Sequence, residues 1–323
     1  MSLAGGLREL LRPPPHRGPL IAAGAVVLAV GIALEEVRLA GKVPDGVHMA
    51  ILLLVGGLIF WLGAQAPNEA GVPPAYQSIL LVTGIALLFA ALLMTASVLG
   101  AHVGDVSDGT LMWTSAVTAA LALWPAFERN SAISLLMAAI LGGVALLSAW
   151  SFVFDASSPA PYRWLLAFYS AFLVLSALAL REPARRHAEV LIDAGGLAIA
   201  GIGALSLDIF DVSQSSLPGI WEVVLLGAGF GLVAFGALDR SPGPAYLGVL
   251  NLVLFIIVVA KSGDETLFWW PLTLIFIGAV MLLAGLRPRR PLPPEPDAYR
   301  AGEAPLAARA DEEELVIRVR DDS

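Results

Sequence analysis

The sequence predicts an all-α fold: a polytopic transmembrane helix bundle of about ten spans, with a parallel internal duplication in which spans one to four resemble spans seven to ten. Three observations predict it. The composition is 58% hydrophobic and only 14% charged, with a mean hydropathy of +0.80. Soluble domains carry about 45–50% apolar and about 25% charged residues. The apolar residues gather into stretches of bilayer length, and every tryptophan falls near the end of one. These stretches do not alternate as barrel strands must, so helices are the spanning form.

Residues 1–18 form a cytoplasmic N-terminal segment. Leu3, Leu7, Leu10 and Leu11 have the spacing of a short interfacial helix with Arg8 and Arg12 toward anionic lipid; a frayed terminus is the other reading. Span one, Pro19–Leu39, follows Arg8, Arg12 and Arg17, but ends in Leu34-Glu35-Glu36 with no small-residue cleavage site, so it reads as retained. Span two, Met49–Gly63, and span three, Tyr76–Leu99, follow, the second being short and open to extension. Spans four to six are Thr110–Phe127, Ala132–Phe154 and Tyr162–Leu180. Spans seven to ten are Ala188–Phe210, Pro218–Leu238, Tyr246–Ala260 and Leu267–Leu286. The spanning domain thus covers residues 19–286, and residues 287–323 form a Pro-rich, then acidic, largely disordered cytoplasmic tail. Within it Leu315-Val316-Ile317-Arg318-Val319 alternates enough for a partner to capture as an added strand.

Orientation follows from the cations. With the N-terminus inside, eleven arginines flank the inner ends, against Arg38, Lys42, Arg163 and Lys261 outside. That asymmetry predicts a cytoplasmic-membrane protein with both termini in the cytoplasm. The excess of Arg over Lys, with abundant Ala and Gly, suggests a GC-rich bacterial genome.

The duplication rests on ordered matches. Leu20–Leu34 aligns with Leu191–Leu205 at seven identities in fifteen positions. Gly56 and Gly63 correspond to Gly229 and Gly236, the PAY of Pro74–Tyr76 recurs at Pro244–Tyr246, and Gly104–Trp113 resembles Gly263–Trp270. The copies start six spans apart and so point the same way, unlike inverted transporter repeats. A finer pattern, LVLSALALREP against LVAFGALDRSP, suggests five hairpins, each entering and leaving from the inside. The glycines of GGVALLSA, GGLAIAGIGA and GAGFGLVAFGA let backbones approach where no hydrophobic effect drives association. Gly201-x-Gly203 and Gly227-x-Gly229-x-Gly231 lie inside apolar runs, without the βαβ setting a dinucleotide loop requires.

Chemistry-bearing residues are sparse. Asp193, aligned with Ala22, and Asn251, aligned with Leu81, are polar residues acquired by the second copy at similar depth. They are expected to meet across packed helices, Asn251 donating to the carboxylate, as a cation or proton site; the plainer reading is a shallow Asp beside a helix-gluing Asn. Glu35, Glu36, Asp105, Asp108, Asp208, Asp211, Glu222, Asp264 and Glu265 form an acidic outer rim. Such a rim attracts divalent cations or basic peptides by long-range fields, although topology alone also leaves acids outside. His16, His48, His102 and His187 sit in separate loops or flanks without zinc spacing. There is no cysteine, no GxSxG elbow, and the net charge of −8 gives no basic footprint for nucleic acid. No catalytic, cofactor or metal residue is therefore assigned. The expected partners are the lipid bilayer and a membrane or cytoplasmic protein reached through the tail. The expected role is a non-enzymatic membrane scaffold or partner-binding protein; the alternative is a secondary transporter of a small solute or ion using Asp193 and Asn251.

Overall fold

The computed structural model describes residues 17–39, 42–67, 73–101, 106–155, 158–207, 219–262 and residue 276. Among these residues every regular element is a helix. In chain order they are α1 (Gly18–Leu39), α2 (Asp45–Gln65), α3 (Ala75–Val98), α4 (Asp108–Glu128), α5 (Ala132–Phe154), α6 (Pro159–Leu180), α7 (Arg185–Ala204), α8 (Gly219–Asp239) and α9 (Pro242–Ser262). All nine are long and apolar enough to cross a membrane, so the chain is an integral, multi-pass membrane protein. Apart from residue 276 the tenth predicted span lies outside the described residues, as do residues 1–16 and the C-terminal tail.

Local chemistry explains where helices start and stop. Ser107 caps α4, its Oγ accepting from the Thr110 amide at 3.3 Å. Pro159 and Pro242 open α6 and α9, where a fixed φ suits the first turn and a missing N–H costs nothing. These prolines carry both helices farther N-terminal than the predicted Tyr162 and Tyr246. Asp45, in the first turn after Pro44, does the same for α2. Helix α7 is shifted rather than extended: it starts at Arg185 and ends at Ala204, six residues short of the predicted Phe210. Asn130 and Arg240 take left-handed φ values of 55° and 56° in the tight α4–α5 and α8–α9 turns.

Contacts at helix ends fix an alternating up-down arrangement. At one end Gly18 meets Tyr76, the Gln65 and Arg129 side chains meet, and Arg181 and Arg185 reach Asp239. This is the arginine-rich end. At the acid-rich end His48 pairs with Glu36, Ser97 bonds Asp45, Ser151 bonds Asp108, and Trp164 meets Trp221 edge-on at 4.9 Å.

The tightest pairs are α2 with α3, α4 with α5, α6 with α7, and α8 with α9. Each is joined at the arginine-rich end, so the pairing is offset by one helix from the five-hairpin expectation. Two helices act as hubs. α3 packs on α1, α2, α4 and α5; α7 packs on α5, α6, α8 and α9 and is the most enclosed helix described. The pattern within α1–α3 (one tight pair, with the first helix resting on the third) recurs in α7–α9.

Small residues set the close approaches. A Cβ on Gly84 would lie 2.6 Å from the Phe60 backbone, and one on Gly248 would lie 2.6 Å from the Gly229 carbonyl oxygen. Tyr169 of α6 lies over Gly142 and Gly143 of α5, which lets its hydroxyl donate to Ala139 O at 2.6 Å.

Candidate functional site

Asp193 and Asn251 both project into the seam between α7 and α9. Asn251 is completely buried. Its Nδ2 donates to Gly196 O across the seam at 3.2 Å and to Leu247 O one turn back at 2.9 Å. Asp193 is half-buried, and its carboxylate packs against Gly243 in the first turn of α9, where a Cβ would come within 2.6 Å of Oδ2. Gly243 and Asn251 are eight residues apart, about 12 Å along a helix. The expected Asn251–carboxylate hydrogen bond is therefore replaced by one to the α7 backbone: Gly196, having no side chain, exposes its carbonyl at the point where Asn251 arrives. Asp193 sits instead at the positive end of the α9 dipole, a favourable place for a carboxylate. Asp193 Oδ1 and Asn251 Oδ1 are both buried without a hydrogen-bond donor. The seam thus presents two acceptor oxygens at two depths.

The acidic rim resolves into individual contacts. Glu36 is held by the buried His48 at 2.5 Å, and Glu35 by Arg38 at 3.2 Å. Asp108 accepts from Ser151, and Glu222 is buried in the first turn of α8. Asp105, Asp208, Asp211, Asp264 and Glu265 lie outside the described residues. Among the described residues no three His, Asp or Glu side chains gather closely enough to hold a metal ion.

Several buried polar residues lie outside the sites the sequence singled out. His48 and His187 are in helices rather than flanks. His187 Nε2 lies 3.1 Å from Ala126 O and caps the carbonyl end of α4. Arg163, read as an outer flank cation, is only 2% exposed and donates to Ser206 at 3.4 Å. Gln77 is fully buried with its amide nitrogen and oxygen both unpaired. Thr114 and Thr118 bond back to carbonyls four residues earlier, which lets α4 bury polar side chains without stranding them. The i, i+4, i+8 spacing of Thr110, Thr114 and Thr118 was the available clue.

The chain matches no protein-family model, and neither a curated protein nor a solved structure is similar to it.

Proposed function

We propose that this protein is a non-enzymatic scaffold of the bacterial cytoplasmic membrane, with both termini in the cytoplasm, which holds a membrane partner against α1. One face of α1 supports this reading. Leu20, Gly24, Val27, Gly31 and Leu34 recur at heptad-like spacing, and Leu20, Val27 and Leu34 are 74%, 72% and 67% exposed. A Cβ on Gly24 or Gly31 would meet nothing within 4 Å. Alternating glycines and branched side chains on one stripe form a groove into which a second helix packs closely in lipid. The opposite face, with Ala22 and Ala25, rests on the rest of the bundle. Affinity purification of the full chain in native membrane discs should recover a stoichiometric integral membrane partner. Gly24→Leu with Gly31→Leu should release it while the bundle stays monodisperse. Recovery of the chain alone, or equal recovery with the double variant, would sink this role. Residues 311–323 serve a cytoplasmic partner in the same reading, and their deletion should weaken that association without affecting α1.

A second reading rests on the two unpaired acceptor oxygens of the α7–α9 seam. They suit a cation or proton carried by a secondary transporter. Ion or solute flux in proteoliposomes that Asp193→Asn weakens would favour it; flux unchanged by that substitution would remove Asp193 and Asn251 from any pathway.

A further inference from the structure

We propose that the cleft between α6 and α8 is a binding site for an anionic phospholipid, with an acyl chain in the cleft and the phosphate at Arg181. The cleft has a volume of about 270 Å³. Val174 and Leu178 form one wall, and Leu232 and Phe235 the other. Its floor is α7, where Ile192 and Ile199 flank the bare backbone of Gly195 and Gly196. The one polar side chain on the lining, Ser170, is already satisfied by Gly195 O at 2.9 Å. The interior therefore offers nothing to a polar ligand and suits a hydrocarbon chain.

The opening is kept by a particular glycine. In Gly227-x-Gly229-x-Gly231, only Gly229 is a packing glycine: a Cβ there would lie 2.7 Å from Leu252. A Cβ on Gly231, which lines the cleft, would meet nothing within 4 Å. Gly231 thus leaves space that helix packing does not use.

Charge identifies the occupant. The cleft runs toward the arginine-rich end and finishes beside Leu178 and Phe235. There the Arg181 guanidinium sits over the Phe235 ring, 5.9 Å from its centroid. Arg185 lies beside it, and both arginines share the Asp239 carboxylate, at 3.4 and 3.2 Å. Glu189 engages Arg185 only, through Nε at 3.1 Å. Arg181 spends one nitrogen on Asp239 and remains 55% exposed, so most of its N–H fork faces the headgroup level. A guanidinium fixed at the mouth of a dry, chain-wide cleft recognises a lipid phosphate with its tail beneath it. A zwitterionic lipid offers the same tail and the same phosphate, but its ammonium cancels the net negative charge that draws an anionic headgroup to Arg181.

The test uses the full chain, delipidated and returned to phosphatidylcholine vesicles containing phosphatidylglycerol with a photoactivatable group on one acyl chain. Labelling should map to 170–178 and 228–235, and unlabelled phosphatidylglycerol should displace it while phosphatidylcholine does not. Gly231→Phe should remove the labelling, whereas Gly57→Phe, which adds the same bulk at another open position, should leave it. Arg181→Gln should lower the preference for phosphatidylglycerol about fivefold, the effect of one surface cation, while chain labelling persists. Equal labelling by photoactivatable phosphatidylcholine, labelling spread evenly over all lipid-facing helices, or labelling insensitive to Gly231→Phe would each overturn the site. Should Gly231→Phe fail to fold, the exposed Arg181 decides: an unchanged lipid preference in Arg181→Gln also overturns it.

Discussion

At the residue scale the glycines separate into two populations with opposite physical roles. Gly84 and Gly248 face another backbone, where an added methyl has no flexible neighbour to displace. Gly57 and Gly227 face open space. Alanine at Gly84 or Gly248 should therefore destabilise the bundle by about 1–3 kcal/mol through overpacking. At Gly57 or Gly227 it should be neutral or stabilising by up to about 1 kcal/mol through helix propensity. Unfolding of the purified chain by SDS in mixed micelles measures both, and a similar loss at all four positions would contradict the packing described. The sequence shows both populations as the same letter in the same apolar text. The close-approach role expected of GGLAIAGIGA and GAGFGLVAFGA holds at Gly196, Gly229 and Gly236 and fails at Gly227 and Gly231, where a Cβ would meet nothing within 4 Å. What could not be read was that Gly24, Gly31 and Gly231 leave space open, because that depends on which face of the helix has a neighbour.

At the scale of elements, the apolar runs made the nine described helices legible; their starts moved where Pro159, Pro242 and Asp45 rewrite the first turn, and the largest shift is at α7, which stops six residues early. Pairing was less legible. Adjacent helices can pair through either connecting loop, and hydropathy is identical in both cases. The short α8–α9 turn, closed by Ser241 N–H donating to Gly236 O at 3.1 Å, decides one case. The α7–α9 seam shows the same limit for the candidate site: Asp193 and Asn251 were found by their rarity in lipid, but register alone sends Asn251 to Gly196. Asn251→Leu removes the interhelical bond, so it should cost about 1 kcal/mol in the same micelle titration. A double variant with Tyr169→Phe, which breaks the α5–α6 bond elsewhere, should be additive to within about 0.5 kcal/mol. Marked non-additivity would mean that the two seams move as one unit.

At the scale of the whole molecule, the alternating contacts establish two ends but not which side of a membrane each faces. Charge supplies the argument. Arg17, Arg129, Arg181, Arg185, Arg186 and Arg240 gather at one end of the described bundle, while Arg38, Lys42 and Arg163 are at the other. Arg163 is buried and tied to Ser206, which leaves the second end with still less cationic surface than a sequence count implies. Cations near short loops are retained on the cytoplasmic side during insertion, so the α6–α7 turn should face the cytoplasm and the α1–α2 turn the exterior. The absence of cysteine makes this directly measurable. In intact cells a membrane-impermeant maleimide should label Lys42→Cys, at an exposed position, and should reach Glu182→Cys, also exposed, only after permeabilisation. The reverse pattern would invert the molecule. It would also move Arg181 and the mouth of the lipid cleft to the outer leaflet, away from the anionic lipids that give the cytoplasmic surface its negative potential.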